Sequence, residues 1–314
     1  MSITANPGTA PAETERPSRQ PADPRRRRGS APRRRSGSGL TSRVAVNAFL
    51  VVFAVYSLLP LAWLLIASTK NHRDLFATNP FALGDFNLVS NLHALFTVDD
   101  GIYLRWFGNS VLYTVVGSLL STVIAVTTGY AFDKYEWWGK EKLFGLVLVG
   151  MFVPSAVIQL PLYLMFSEAH LVNTYWSLLL PALVNPFGVY LARVFSEGYV
   201  PGEVLEAARV DGAGEFRTFG RVSLPMLTPG FMTIFLFTFT AQWNNFYGAL
   251  MMLNDEELYP VNLGLFMWNK TVQQQPEHYS LVIVGALVAV IPLIVAFLCL
   301  QRYWRSGMTA GAVK

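Results

Sequence analysis

Six apolar runs, each close to the length that crosses a bilayer, restrict this chain more than any other feature. They cover residues 44–67, 107–132, 143–166, 176–194, 231–253 and 281–300. A helix needs ~20 residues to cross ~30 Å of hydrocarbon. Five of the runs contain no Asp, Glu, Lys, Arg or His, and the fourth carries only Arg193, next to its end. One charge at mid-membrane costs about 2.5–3.5 kcal/mol on insertion scales, so runs this clean are made for lipid. Composition agrees: 53% of the 314 residues are hydrophobic and 14% are charged, against roughly 25% charged in a soluble domain. Mean hydropathy is +0.37. The expected fold is an all-α integral membrane protein with six transmembrane helices. Pro60, Pro154, Pro161, Pro181 and Pro292 lie inside the runs, where neighbouring helices tolerate kinks.

Basic residues set the expected orientation. The formal net charge is +4, yet ten arginines stand in the first 43 positions. Residues 1–43 are rich in Pro, Ser, Gly, Ala and Arg and nearly lack large apolar residues. Such a segment cannot bury a core and reads as a disordered basic tail. An arginine cluster also suits nucleic acid, but here it abuts an apolar span, which favours anionic membrane lipid and no nucleic acid. It is too long for a signal peptide. The links after the second and fourth runs hold Lys134, Lys140, Lys142, Arg209, Arg217 and Arg221, and the chain ends with Arg302, Arg305 and Lys314. The alternate loops are poorer: 167–175 has no Lys or Arg, and 254–280 has only Lys270. By the positive-inside rule both termini are cytoplasmic. The loop 68–106 and all four histidines (His72, His93, His170 and His278) then lie outside.

Several chemistries find no support. Cys299 is the single cysteine and reads as a small buried hydrophobe. The histidines are scattered, with no pairing that suits a metal, and no cofactor is expected. No G-x-x-x-x-G-K-[ST] phosphate loop occurs; the nearest fragment, "WGKEK" at 138–142, lacks the first glycine and the Ser/Thr. An ion-coupled carrier usually places carboxylates within its spans and often shows an internal repeat; neither is found. No selectivity-filter motif points to a channel. The spans hold no His or Asp to serve an intramembrane hydrolase.

Between the fourth and fifth runs the chain turns charged: "EAARVDGAGEFRTFGRVSLP", residues 206–225. Pro201 suits the first turn of a helix, and Glu203 and Glu206 suit its positive end. Gly212 is a natural helix stop, and Gly214 allows a reversal. A second helix is expected over about 215–222, with Phe216 and Phe219 on one face and with Pro225 and Pro229 ending it. The product is a two-helix hairpin at the membrane surface.

This segment resembles the EAA loop of bacterial ABC importer permeases, E-A-A-x-x-D-G-A-x-x-x-x-x-F followed by L-P-x-x-x-P. Residues 45–314 as a whole resemble the carbohydrate, maltose-type subfamily. Further matching stretches are Asn109–Ser110, "GYAF" at 129–132, "VPSAVIQLPLY" at 153–163, "NTYWSLLLP" at 173–181, "WNNF" at 243–246 and the terminal "GMTAGAVK". The resemblance implies a permease domain over 44–314, with the EAA loop at about 201–230, in the bacterial plasma membrane. It implies no enzymatic activity of its own. The implied partners are a second permease subunit, a dimer of ATP-binding ABC subunits and an extracytoplasmic sugar-binding protein. The first hairpin helix would dock on the ATPase. Glu206 would be its charged contact, Ala207, Ala208 and Gly212 would be small enough to seat, Asp211 would brace the turn, and Phe219 completes the motif.

A sugar path needs amides and aromatic faces, which Gln242, Trp243, Asn244 and Asn245 offer in the fifth run, with Thr238 one turn before Gln242; Gln159 and Asn185 are further polar residues in other runs. The same amides also serve as interhelical hydrogen bonds, and both readings stay open. The loop 68–106 either docks the binding protein or caps the pore. The terminal "SGMTAGAVK" is expected to reach the ATPase dimer.

Overall fold

The computed structural model describes the backbone of residues 38–310 and the side chains of 42–301. The arginine cluster and the terminal "SGMTAGAVK" lie outside the described side chains. The described residues fall into two units, divided after Val55. Among the described residues every regular element is helical: α1 (Ser38–Ser68), α2 (His72–Ala77), α3 (Leu88–Thr97), α4 (Ile102–Lys134), α5 (Lys140–Met151), α6 (Ser155–Glu168), α7 (Trp176–Ala182), α8 (Pro186–Tyr199), α9 (Gly202–Val210), α10 (Glu215–Thr218), α11 (Leu224–Met226), α12 (Thr228–Trp243), α13 (Phe246–Met252), α14 (Val261–Thr271) and α15 (His278–Ala310).

Among the described residues four stretches are long and apolar enough to cross a membrane, or up to six if each bent pair is one span. Three expected spans are not single helices. The third run is α5 and α6, bent by 103°. Pro154 has no N–H and disfavours a helical residue before it; α5 ends at Met151 and α6 starts at Ser155. The fourth breaks at Asn185, which restarts the helix by accepting from the Gly188 N–H at 2.8 Å. The fifth breaks at Asn244–Asn245, where Asn245 Oδ1 accepts from the Gly248 N–H at 3.2 Å and starts α13. Apolar content marks a segment for lipid but says nothing of such breaks.

α4 is the spine. It packs on α8, α12, α7 and α14. Near its start Tyr103, Trp106 and Tyr113 join a core with Trp243, Tyr259 and Trp268. Toward its end Ala125, Val126, Tyr130 and Phe132 join a second core with Val189, Ala192, Val200 and Leu205. Small residues let α4 and α8 approach. At Gly129 a Cβ would stand 2.4 Å from Ala192 Cβ and 2.7 Å from the Val189 carbonyl and the Arg193 nitrogen.

Exposed apolar side chains are abundant, from Phe49 (70%) on α1 to Leu298 (56%) on α15. Cys299 belongs to this surface and is exposed, not buried. In a lipid-facing helix an apolar residue has no reason to turn inward, so the burial rule of soluble cores misplaces it.

The segment 68–106 is more ordered than its composition shows. Lys70 is buried, and its Nζ donates to Thr78 Oγ1 at 3.0 Å and the Asn79 carbonyl at 2.7 Å. Asn91 Nδ2 donates to the carbonyls of Ser68 and Lys70, both at 2.9 Å.

Candidate functional site

Pro201, extended at φ −63° and ψ 145°, delivers the chain into α9. Leu205 and Ala208 lie three apart on one face and are buried, while Glu206, Ala207 and Val210 face out. Gly212 ends the helix at φ +78°. Its N–H donates to the Arg209 carbonyl at 3.0 Å, and the Ala213 N–H reaches back to Ala208 at 2.9 Å. That paired closure requires a left-handed residue. A Cβ at Gly212 would touch nothing within 4 Å, so glycine stands there for its backbone and not for room.

The second limb differs from the expectation. Helical structure runs on through 215–226, with a π turn at Phe219–Ser223. Pro225 sits in the first turn of α11, and Pro229 in the first turn of α12. Pro225 thus stands one residue before the end of the run at Met226, and Pro229 opens α12, which leaves at 76° to that run. Phe216 and Phe219 part ways: Phe219 packs on Tyr130 with ring centroids 4.9 Å apart, whereas Phe216 is 97% exposed.

The hairpin is pinned at its base. The Glu215 carboxylate accepts from the Tyr135 hydroxyl at 2.8 Å and from Arg209 Nε at 3.1 Å. Those donors, Tyr135 first and Arg209 next, hold the Glu215 carboxyl below its ordinary range. Burial, and then the bond to Glu215, push the Tyr135 phenol up to about 12. Glu206 has no hydrogen bond or ion pair among the described residues. The outward knob therefore presents Glu206, Ala207, Asp211 and Gly212, all exposed, together with Val210 (88% exposed) and Phe216. Ala208 and Phe219 face inward. Val210, the exposure of Phe216 and the Tyr135–Glu215 tie escaped the sequence reading. The odd apolar positions in a charged segment signalled the first two; nothing in the sequence pairs residues 80 apart.

Within the bundle, the four polar residues of the fifth run are divided. Trp243 is buried; its Nε1–H donates to the Ala289 carbonyl at 3.1 Å, and its ring stacks on Phe239 at 6.3 Å. Asn245 caps α13, and Asn244 Nδ2, on an exposed residue, donates to the Thr240 carbonyl at 2.8 Å. Gln242 is half-buried and lines a cavity of about 280 Å³ with Ser121, Asn185 and Thr238. Asn185 Nδ2 donates to Thr238 Oγ1 at 3.0 Å, and Ser121 Oγ has no partner. Gln159 stands apart from this cavity, in a small void beside Asn245.

The Asn109–Ser110 and Asn173 stretches hold the loop after α13. Asn109 Nδ2 donates to the Glu257 carbonyl at 2.8 Å, and Ser110 Oγ accepts from the Val261 N–H at 2.7 Å. Asn173, at φ +59°, accepts from the N–H groups of Asn254 and Asp255, both at 2.9 Å.

Comparison with known proteins agrees with this architecture. Residues 121–309 match the family described as binding-protein-dependent transport system inner membrane component. The arabinooligosaccharides transport system permease protein AraQ of Halalkalibacterium halodurans is 31% identical over 277 residues, covering 88% of this chain and 95% of that protein. The lactose transport system permease protein LacG of Rhizobium radiobacter is 26% identical over 264 residues, covering 83% and 92%. A crystal structure of a bacterial ABC transporter that imports the acidic polysaccharide alginate contains a chain of the same fold, with TM-score 0.73 and 23% identity over 85% of this chain and 98% of that one. With α4 as spine, broken spans and the pinned hairpin, this chain belongs to the binding-protein-dependent ABC transport permeases, inner membrane components that carry a substrate across and are not themselves enzymes.

Proposed function

We propose that the chain forms half of the translocation path for a neutral mono- or oligosaccharide and passes the work of a separate ATPase to that path through the hairpin. The carrying observation is the knob itself. Glu206 stands exposed and without an ion pair among the described residues, one helical turn before exposed Val210, on a hairpin whose base is fixed by Glu215, Tyr135 and Arg209 and which also exposes Phe216. An unpaired carboxylate on a hairpin with exposed apolar groups suits a protein partner with a basic residue and an apolar groove. Glu206, Ala207, Asp211 and Gly212 make the contact, while Ala208 and Phe219 seat the knob against the bundle.

The sugar reading draws on relatives named for arabinooligosaccharides and lactose. It also fits the hydroxyl and amide lining of the cavity at Gln242. Gln242 and Asn244 are the path contacts in this reading, and Trp243 and Asn245 shape the break between α12 and α13. In this reading α5 with α6, and α12 with α13, each count as one span, giving six, and both termini and the hairpin lie in the cytoplasm. A second permease subunit completes the path. An extracytoplasmic sugar-binding protein delivers the substrate, as the solved alginate transporter in complex with a periplasmic protein illustrates for that system. The test is uptake of a panel of labelled mono- and oligosaccharides into proteoliposomes holding the assembled complex. ATP-dependent uptake that requires the binding protein is expected; uptake driven by an ion gradient without ATP contradicts it.

A further inference from the structure

A second cavity, about 190 Å³, lies where the turn at Asp99, the start of α4, the 256–258 turn and the end of α14 meet. Its floor is Trp106 and Trp268, both buried, with ring centroids 4.6 Å apart. Asp99 and Glu256 stand in its wall, and neither has an ion pair among the described residues. The neighbouring cations are spent elsewhere: Arg105 pairs with Glu257 at 2.9 Å, and Lys270 lies over the Phe266 ring at 4.8 Å. Asp99 and Asp100 follow one another at φ 47° and 56°, a left-handed pair that non-glycine residues seldom adopt.

Hydrogen-bond accounting gives the cavity a sign. Thr271 Oγ1 donates its single proton to the Trp268 carbonyl at 2.9 Å. The same oxygen stands 2.8 Å from His278 Nδ1, a contact whose donor is set by the imidazole tautomer. His278 is 93% buried in the cavity wall, and its Nε2 has no partner among the described residues. The Trp106 Nε1–H is already donated to the Glu256 carbonyl at 2.8 Å. Two carboxylates and the indole faces seek positive charge, an imidazole nitrogen stands without a partner, and Gln275 at the rim offers both donor and acceptor. Ring faces attract an ammonium or a guanidinium. Among the described residues no group of three His, Cys, Asp or Glu could hold a metal ion, so an organic cation fits better. The volume lies below the roughly 300–1,000 Å³ of small-molecule sites and several times above the ~30 Å³ share of one water. It suits the head of one side chain and is too small for an oligosaccharide.

We propose that this cavity seats a single lysine or arginine side chain of the extracytoplasmic binding protein when it docks. The proposal rests on the transport reading above, and on the 254–280 loop facing outward. The test uses the complete transporter with its ATPase subunits in lipid nanodiscs, measuring ATPase activity as its binding protein is titrated. In Asp99→Asn/Glu256→Gln the half-saturating concentration is expected to rise about tenfold, with the plateau retained and the salt dependence flattened. Asp99→Lys, on an exposed turn, is the second variant and is expected to rise further. N-acetyl-argininamide should raise the half-saturation point of the wild type but not of the double variant, and N-acetyl-glutaminamide should do neither. Unchanged titrations in both variants, or equal effects of the two amides, overturn the proposal and leave the transport reading intact. Competition by calcium chloride alone would assign the cavity to an inorganic cation and also overturn it. A wild type that the binding protein fails to stimulate overturns the transport reading, and the proposal with it.

Discussion

Gly212 and Glu206 carry different burdens in the same hairpin. Gly212 holds φ +78° with open space around it. Gly212→Ala adds only left-handed strain, about 1–2 kcal/mol, and is expected to retain partial ATP-driven uptake. Gly212→Pro cannot reach positive φ and loses the N–H bonded to Arg209, so uptake should be abolished. Glu206→Lys leaves the fold untouched because Glu206 is exposed and unpaired; it should abolish co-purification of the ATPase while membrane insertion persists. Wild-type assembly in Glu206→Lys would make the hairpin a passive surface feature. Glu215 predicts a pH response through its depressed carboxyl. The tie is fully present above the unfolded carboxyl value, about 4.3, and is lost as pH falls through the lower folded one. At the other end Tyr135, raised to about 12, sustains the tie below the ordinary phenol value and releases it as pH climbs through 12. Amide exchange over 212–215, corrected for intrinsic rate, is therefore expected to be flat from about pH 5.5 to 8.5. A transition near neutrality would contradict this assignment.

Among elements, the contact of α4 with α8 sets the frame in which the hairpin moves. A Cβ at Gly129 collides with α8 backbone as well as with Ala192, and backbone cannot step aside as a flexible side chain can. Gly129→Val should cost at least the roughly 1–3 kcal/mol typical of overpacking, read as a lower melting temperature of the detergent-purified complex. An unchanged melting temperature would mean that the two helices separate readily. The element boundaries were partly legible. Pro201, Gly212 and Gly214 mark the first limb of the hairpin in the sequence, because each acts through its own backbone. The continuation to Met226 and the π turn at Phe219–Ser223 were not legible, since Tyr130 receives the Phe219 ring and, from 93 residues away, the Ser223 hydroxyl.

For the whole molecule, the outward placement of 254–280 and the cytoplasmic placement of the hairpin are one claim. A cysteine at Gln274, on an exposed stretch of the loop, is expected to react with an impermeant maleimide from outside intact cells. Reaction only after the cytoplasmic side is opened would invert the topology. The background thiol Cys299 needs replacement first, as it is exposed on α15. Helix breaks at Val153–Pro154, Asn185 and Asn244–Asn245 lie inside otherwise clean apolar runs. Such interruptions are tolerated in a bilayer only where protein or a water-filled space meets the freed backbone groups. The Asn185 break and Gln242, two residues before the last break, line the 280 Å³ cavity, which places the candidate path where the helices are discontinuous.

The sequence by itself determined the solvent, the number of apolar runs and the first limb of the hairpin, because hydropathy, proline and glycine act locally. It also carried the family, through motif positions at fixed spacing. Only the tertiary structure decided which polar residues are spent and which are free. Trp243 is occupied by the Ala289 carbonyl 46 residues away, Glu215 by Tyr135 80 residues away, and Asn109 by the 257–259 turn 148 residues away. Gln242 and Glu206 keep their polar groups free of such bonds. A side chain's chemistry is written in its letter. Whether that chemistry is already satisfied depends on what the fold brings beside it.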